Sequence, residues 1–221
     1  ICLIFIKIKP DIVHLITLKP IIYGGIISIF FNKVKVVFSI AGLGHIFYNK
    51  KMLIRKILFT QLIKLTVKLN NSILIFQNKE SISHFKKLNI LSKRTKYILT
   101  KGSGVDLNFF KPNNIKRKSF TVLLASRMVW EKGIKEYIKA YKILIKKYPK
   151  IKFVLAGRED PDSPSAISLN YLKKLNNKKN KNFRWIGFNK NIKKLINSCN
   201  IVVLPSYHEG APKILLEASA C

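Results

Sequence analysis

The chain has 221 residues, 48% of them hydrophobic, and its 42 lysine and arginine residues against 10 aspartate and glutamate residues give a net charge of +32. This length accommodates one large domain or two modest ones, and the apolar content excludes a disordered basic tail. The cysteines lie far apart in no zinc-ligand spacing, which indicates a reducing compartment; they are Cys2, Cys199 and Cys221.

The chain opens with runs typical of strands that alternate with runs typical of helices. The run DIVHLIT (11–17) predicts a buried strand, and a helix follows it. Residues 14–31 are about long enough to span a membrane, but Lys19 and Pro20 interrupt them. A buried strand followed by a buried helix therefore fits this stretch better than a transmembrane segment.

A long helix is predicted from residue 51 to residue 69, after a strand KVKVVFSI (33–40) and a glycine loop AGLGH (41–45). The face expected to pack on a core comprises Ile54, Leu58, Leu62, Leu65 and Leu69. The cations form a basic stripe that comprises Lys51, Arg55, Lys64 and Lys68. Such a stripe can lie on anionic lipid, or it can be the solvated face of a lysine-rich protein.

The segment KGSGVDLNFFKPNN (101–114) is rich in glycine, proline and asparagine, and it predicts a boundary between two domains, residues 1–110 and residues 111–221. A second alternating series follows, with strands FTVLLAS, IKFVLAG, FRWIGF and NIVVLPS separated by helical runs. These strands have the composition of strands buried on both faces. The sequence therefore predicts an α/β protein with two doubly wound, Rossmann-like domains built on parallel sheets.

The last predicted strand ends in the loop YHEG, and the run APKILLEASA then opens another helix. Ligands of open α/β sheets bind at the carboxyl ends of the strands, so this loop is a candidate site. A proline suits the first turn of a helix that begins near Ala211, and a glycine before it lets an anion approach the free N–H groups. The predicted phosphate-binding segment comprises Gly210, Ala211, Pro212 and Lys213.

Two carboxylates, Glu209 and Glu217, flank the start of this helix in a chain with few acidic residues. Eight residues of helix span about 12 Å, which is too far for a paired acid and base or a bridged metal. The spacing suits a nucleotide-sugar, with Glu209 on the hexose and Glu217 on the ribose; the alternative is an ordinary helix with a solvated Glu217, and Glu209 as part of a loop. Arg127 and Lys132, in the run SRMVWEKG after another strand, can neutralise a diphosphate.

The pattern R-x-x-x-x-K-G followed by LPSYHEGAPKILLEA resembles the retaining enzymes of glycosyltransferase family 4. The stretches DIVHLIT, SIAGLGHIF, LIFQNKE, GSGVDLNFF and VLAGREDPDSP match the same family, so the resemblance extends over almost the whole chain. It is greatest to the bacterial branch that builds capsule, O-antigen and similar polysaccharides on lipid carriers. The resemblance implies the GT-B fold, with residues 1–110 on the acceptor side and residues 111–221 on the donor side.

The resemblance also implies roles for individual residues. Arg127 and Lys132 would bind the donor diphosphate, while Glu209 would contact the sugar and Glu217 the ribose. The helix start would be supplied by Gly210, Ala211, Pro212 and Lys213. The implied reaction is retaining transfer of a hexose or N-acetylhexosamine from a UDP- or GDP-sugar to a polyprenyl-diphosphate-linked glycan, without a metal or other cofactor.

Two features need separate interpretation. Ala41 stands where many relatives carry a histidine that faces the donor, and His45, four residues on, is not assigned that role. Asp160 and Asp162 form the D-x-D pattern of metal-dependent glycosyltransferases with the other large fold. Because prolines flank these two aspartates, we interpret them as part of a surface loop.

The enzyme hypothesis has two rivals. The chain begins at Ile1 and ends at Cys221 within what looks like an unfinished helix, so we expect a fragment of a longer protein, which can be inactive. A nucleic-acid-binding protein would cluster its cations with aromatic residues, whereas here they are spread along the chain, so nucleic acid is not expected as a partner. The charge itself reflects either A/T-rich codon usage or an anionic partner. We expect a cytoplasmic protein, with peripheral contact to the inner face of the cytoplasmic membrane as the lipid-binding alternative.

Overall fold

The computed structural model describes residues 1–42, 53–69, 72–113, 119–176 and 181–221, apart from the side chains of residues 53 and 55. The described residues form two compact units, 1–103 and 104–221, and each contains a four-stranded parallel sheet. Some residues named in the sequence analysis lie outside the described residues. They are Leu43, Gly44 and His45 of the glycine loop, Lys51, and the side chain of Arg55.

The first unit follows the predicted alternation of strands and helices. Its elements are α1 (Cys2–Ile8), β1 (Ile12–Ile16), α2 (Leu18–Ser28), β2 (Lys35–Ile40), α3 (Leu53–Leu69), β3 (Ile73–Phe76), α4 (Lys79–Lys87) and β4 (Lys96–Leu99). The strands are parallel and lie in the order β1-β2-β3-β4. The stretch considered as a transmembrane candidate divides into β1 and α2, and within the described ranges no helix has the length and apolarity needed to cross a membrane.

One apolar core lies against one face of this sheet. Val36, Phe38 and Ile40 of β2 enter it from the sheet, and buried side chains of α2, α3 and α4 cover them. Ile12 and Ile16 of β1, on the other face, are both more than half exposed. The prediction that β1 is a buried strand is therefore wrong for these residues. Among the described strands β1 lies at the edge of the sheet, and the helices that pack on the core cover the same face of the sheet.

Helix α3 forms where predicted but packs with a different face. Its buried residues are Thr60, Ile63, Thr66 and Val67, and of the predicted face only Leu62 packs against the core. The other residues that were predicted to face the core are exposed, namely Ile54, Leu58, Leu65 and Leu69. Apolar residues surround this helix, so their spacing does not select one face. Close contact with α2 selects the buried face of α3, since a Cβ on Gly25 would lie 3.0 Å from the side chain of Thr66.

The second unit has helices on both faces of its sheet. Its elements are β5 (Thr121–Ala125), a 3₁₀ turn (Trp130–Lys132), α5 (Ile134–Lys147), β6 (Lys152–Ala156), α6 (Leu169–Leu175), β7 (Phe183–Trp185), α7 (Ile192–Ser198), β8 (Ile201–Val202) and α8 (Lys213–Ser219). One apolar cluster joins the sheet to α5 and α6, and another joins it to α7 and α8. Phe110 packs in the latter cluster, so the end of the glycine- and proline-rich segment belongs to this unit.

The strand order of the second unit determines where a ligand can bind. The order is β7-β6-β5-β8, so the chain leaves β5 toward β6 on one side and returns to β8 on the other. Open α/β sheets bind ligands in the crevice at such a reversal, outside the carboxyl ends of the strands. The loops after β5 and β8, which contain Lys132 and Glu209, border this crevice.

The packing of α3 leads to a stability prediction. Replacing the fully buried Ile63 by alanine should destabilise the first unit by about 2–5 kcal/mol, because it leaves a cavity in a close-packed core. The matched change Leu58→Ala removes a side chain that is 57% exposed, and it should alter the free energy of unfolding by less than about 0.5 kcal/mol. Chemical denaturation followed by circular dichroism measures both, and equal losses would contradict the observed face.

Candidate functional site

The loops after β5 and β8 are joined by hydrogen bonds to one main-chain oxygen. The carbonyl of Glu131, in the 3₁₀ turn, accepts from the amide of Tyr207 at 3.0 Å and from the hydroxyl of Ser206 at 3.1 Å. The same turn also contacts the loop after β6, since the Trp130 amide donates to the Ser165 carbonyl at 3.0 Å and the Ser165 hydroxyl donates to the Glu131 carboxylate. The turn therefore lies between two loops and fixes both.

Gly133 permits this close approach. Its φ of +75° lies in the left-handed region, and its amide donates to the Trp130 carbonyl at 3.0 Å. A Cβ at this position would overlap the carbonyl oxygen of Pro205, so a larger residue would push the β8 loop away. Backbone conformation and close contact both restrict the position to glycine.

Lys132 and Glu209, which the sequence analysis singled out separately, meet directly in the structure. The Nζ and Oε1 atoms are 2.5 Å apart, and the two side chains are only 19% and 25% exposed. Partial burial reduces the screening that weakens ion pairs on an open surface. The contact therefore brings the cation predicted for the diphosphate and the carboxylate predicted for the sugar to one place.

Arg127 contacts a different carboxylate. Its guanidinium lies 2.5 Å from Asp160, and the arginine side chain is 65% exposed. Asp160 belongs to the loop after β6, which is joined to the segment after β5 by a 3.1 Å bond from the Met128 amide to the Arg158 carbonyl. Asp160 thus serves as an ion-pair partner in a loop, and in the described portion of the chain no group of three or more histidine, cysteine, aspartate or glutamate residues is arranged to hold a metal ion.

The helix that carries Glu217 begins two residues later than predicted. Lys213 is its first residue and Pro212 is its capping residue, whose carbonyl accepts from the Leu215 amide at 3.1 Å. Glu217 is 8% exposed, so the alternative of a solvated carboxylate is wrong for this residue. Its Oε1 lies 3.7 Å from the Lys213 Nζ, which is beyond hydrogen-bond length. A buried carboxylate with so weak a contact is well suited to accept from a ligand hydroxyl.

The sequence analysis missed the roles of Glu131 and Asp160. Glu131 acts through its main-chain carbonyl, and residue type carries no signal for such a role. Asp160 was noticed only as half of a D-x-D pattern. Its pairing with Arg127 depends on β5 and β6 being neighbours, which the order of elements along the chain does not state.

Two known families match the chain. The family described as glycosyl transferases group 1 matches residues 106–221, and the family described as glycosyl transferase 4-like matches residues 1–78. The first match contains both loops of the candidate site, and the second lies within the first unit. These matches confirm the resemblance that the sequence motifs indicated.

Two curated bacterial proteins are similar to the chain. It is 30% identical over 214 residues to the N,N'-diacetylbacillosaminyl-diphospho-undecaprenol alpha-1,3-N-acetylgalactosaminyltransferase of Campylobacter jejuni subsp. jejuni serotype O:2, which covers 89% of the chain and 53% of that protein. It is 26% identical over 227 residues to the UDP-Gal:alpha-D-GlcNAc-diphosphoundecaprenol alpha-1,3-galactosyltransferase of Escherichia coli, which covers 97% of the chain and 56% of that protein. The chain spans about half the length of these relatives.

Solved structures share the fold. A sucrose-phosphate synthase from Thermosynechococcus elongatus superposes with a TM-score of 0.76 at 19% identity, over 98% of the chain and 55% of that protein. The HepE protein of Anabaena, solved in complex with UDP and glucose, superposes with a TM-score of 0.73 at 20% identity, over 99% of the chain and 59% of that protein. The predicted fold class, GT-B with two Rossmann-like parallel-sheet domains, is confirmed.

The contact at Gly133 leads to a prediction with an internal control. Gly187 also has a positive φ, of +65°, but a Cβ there would meet nothing within 4 Å. Gly187→Ala should therefore carry only the conformational term of about 1–2 kcal/mol. Gly133→Ala should lower the free energy of unfolding further, because the β8 loop must also move. Denaturation of both variants tests this, and equal losses would contradict the close contact with Pro205.

Proposed function

The chain belongs to the glycosyl transferases group 1 family, and on this premise we propose that it forms part of a retaining glycosyltransferase. The enzyme moves a hexose or N-acetylhexosamine from a UDP- or GDP-sugar to a glycan carried on a polyprenyl diphosphate. The observation that carries the proposal is the ion pair of Lys132 and Glu209, beside the reversal of strand order at β5. It combines a group that binds phosphate with a group that binds sugar hydroxyls.

Lys132 supplies the positive charge that this transfer needs. When the bond between the sugar and the diphosphate breaks, negative charge grows on the leaving phosphate oxygen, and a nearby ammonium stabilises it. A lysine ammonium has three donors, so Lys132 can keep its bond to Glu209 and also donate to a phosphate. Glu209 accepts from a sugar hydroxyl, which orients the sugar relative to the leaving group.

Glu217 binds the other end of the donor in this proposal. Its buried carboxylate accepts from the ribose hydroxyls, while the main-chain N–H groups of Gly210, Ala211 and Lys213 contact the phosphates. Arg127 contributes a further cation. A guanidinium has five N–H donors, so Arg127 can keep its bond to Asp160 and also donate to a phosphate. With two cations supplied by the chain, we propose that transfer needs no divalent metal.

The relatives support this choice of donor and acceptor. Both curated relatives are named for acceptors linked to undecaprenol through a diphosphate, and one is named for UDP-Gal as donor. The Anabaena structure contains UDP and glucose. We therefore favour a UDP-sugar over a GDP-sugar. Both relatives are named for alpha-1,3 linkages, which retaining transfer from an α-linked nucleotide-sugar produces.

The role of Lys132 is tested by substitution in the full-length protein. Lys132→Ala should lower kcat for transfer from UDP-galactose or UDP-N-acetylgalactosamine by about 100- to 1,000-fold, the usual effect of removing one group that stabilises developing charge. Lys135→Ala removes an exposed lysine in the first turn of α5 and should leave the rate unchanged. The assay is run in EDTA. An unaffected Lys132 variant would contradict the site, and loss of wild-type activity in EDTA would contradict transfer without a metal.

We also propose that the enzyme works on the inner face of the cytoplasmic membrane, with α3 as the contact. The exposed side of α3 presents apolar residues such as Ile54, Leu58 and Leu65, and Lys64 and Lys68 border them. An apolar strip bordered by cations is typical of helices that lie in the interface of an anionic bilayer. The residues predicted to enter the core thus supply the apolar part of this surface.

Vesicle co-sedimentation tests this contact. The protein should bind vesicles that contain anionic lipid and should be released as salt is raised, because each lysine near such a surface contributes about 1 kcal/mol. The double variant Lys64→Glu and Lys68→Glu should weaken binding at least about tenfold. The matched double variant Lys86→Glu and Lys87→Glu, on α4, makes the same change of charge and should have a smaller effect. Equal weakening, or binding that resists salt, would contradict a contact through α3.

A further inference from the structure

The loop that carries Glu209 has a second attachment, which the mechanism above does not use. The hydroxyl of Tyr207 donates to Oε1 of Glu136 at 2.7 Å, while the amide of Tyr207 donates to the Glu131 carbonyl at 3.0 Å. Tyr207 is therefore held at its main chain and at the tip of its side chain, two residues before Glu209. Glu136 lies in the first turn of α5, which the core anchors through the buried Ile134.

The Tyr207 hydroxyl is the main hydrogen-bond partner of the Glu136 carboxylate. The Oε2 atom of Glu136 is inaccessible to solvent and has no hydrogen-bond partner among the residues that the structure describes. The bond from Tyr207 is the main cause that lowers the pKa of Glu136 below its ordinary value, and the same bond raises the pKa of Tyr207. At neutral pH the pair is therefore a carboxylate and a neutral phenol. A hydrogen bond to an ionised acceptor is stronger than one between neutral groups.

The turn before α5 and the start of this helix thus contact four successive parts of one loop. Gly133 lies against Pro205, the Glu131 carbonyl binds the residues at 206 and 207, Glu136 binds the Tyr207 hydroxyl, and Lys132 binds Glu209. Of these contacts, only the pair of Lys132 and Glu209 involves side chains that bind the donor in the proposed mechanism. The others hold the main chain on which Glu209 stands.

We infer that Tyr207 and Glu136 are positioning residues, which orient the loop between Pro205 and Glu209 and so hold the Glu209 carboxylate against Lys132. This inference rests on the proposed function, since it takes Glu209 to contact the donor sugar. Loss of the Tyr207–Glu136 bond should therefore disturb the orientation of the sugar. It should leave the affinity for the nucleotide nearly intact, because the groups proposed to hold the ribose and the phosphates lie outside the loop between Pro205 and Glu209; they are Glu217, Lys132 and the segment from Gly210 to Lys213.

The experiment compares variants of the full-length protein in transfer from a UDP-sugar. Tyr207→Phe removes only the hydroxyl and should lower kcat by about threefold to tenfold, because the bond is made by a tyrosine that is 58% exposed and solvent weakens it, with a change in the Kd for UDP of less than about twofold. Glu136→Ala should match it, whereas Glu136→Gln should restore most of the rate because the amide oxygen still accepts from the phenol. The double variant Tyr207→Phe, Glu136→Ala should be no slower than the slower single variant. Tyr148→Phe, which alters another exposed tyrosine just beyond the other end of α5, is the control and should leave kcat unchanged.

Three outcomes would overturn the inference: an unchanged kcat in Tyr207→Phe, single losses that multiply in the double variant, or a parallel loss of UDP affinity. The contact itself is followed independently of turnover by carbon-13 NMR of the tyrosine rings. Tyr207 should titrate at a lower pH in Glu136→Ala than in the wild type, and identical titration would show that the bond is absent. A wild-type protein that is inactive with every UDP- and GDP-sugar would instead contradict the proposed function.

Discussion

The close approach between the turn at Glu131 to Gly133 and the loop after β8 determines where the charged groups of the candidate site lie. The two segments are more than 70 residues apart in sequence, as the separation of 77 residues between Lys132 and Glu209 shows. They meet because β5 pairs with β8, and a glycine with a left-handed backbone allows main chain to contact main chain. Without that contact the ion pair of Lys132 and Glu209 would not form.

The two units differ in how their sheets are covered. In the second unit, apolar clusters on both faces hold β5 and β8 in register, so the loops at their carboxyl ends start from fixed positions. In the first unit, the helices around the apolar core lie on one side of the sheet, and the other face carries exposed isoleucines. The site with built-in polar contacts thus belongs to the unit whose sheet is packed on both faces.

The sequence was sufficient for the alternation of strands and helices from β1 onward, and it singled out both residues of the ion pair between Lys132 and Glu209. Strands such as KVKVVFSI are apolar enough to be recognised alone, and the R-x-x-x-x-K-G and YHEG patterns led to Lys132 and Glu209 before any geometry was known. The sequence was insufficient where the contacts of a residue depend on which element lies beside it in the fold. The buried face of α3 follows from contact with Gly25 of α2, and the partner of Arg127 follows from the pairing of β5 with β6. Tyr207 and Glu136 gave no signal either, because a tyrosine in a loop and a glutamate on a helix are ordinary until they are placed together.

The attachment of the β8 loop through main-chain atoms has a consequence for the side chains that the loop can carry. The amide of Tyr207 and the carbonyl of Pro205 make their contacts whatever side chains the loop presents, apart from the exclusion of a Cβ at Gly133. His208 and Ala211, which lie within two residues of Glu209, can therefore be exchanged without releasing these contacts. A scaffold of this kind tolerates single substitutions beside Glu209, because the main-chain contacts that bring Lys132 and Glu209 together do not depend on the neighbouring side chains.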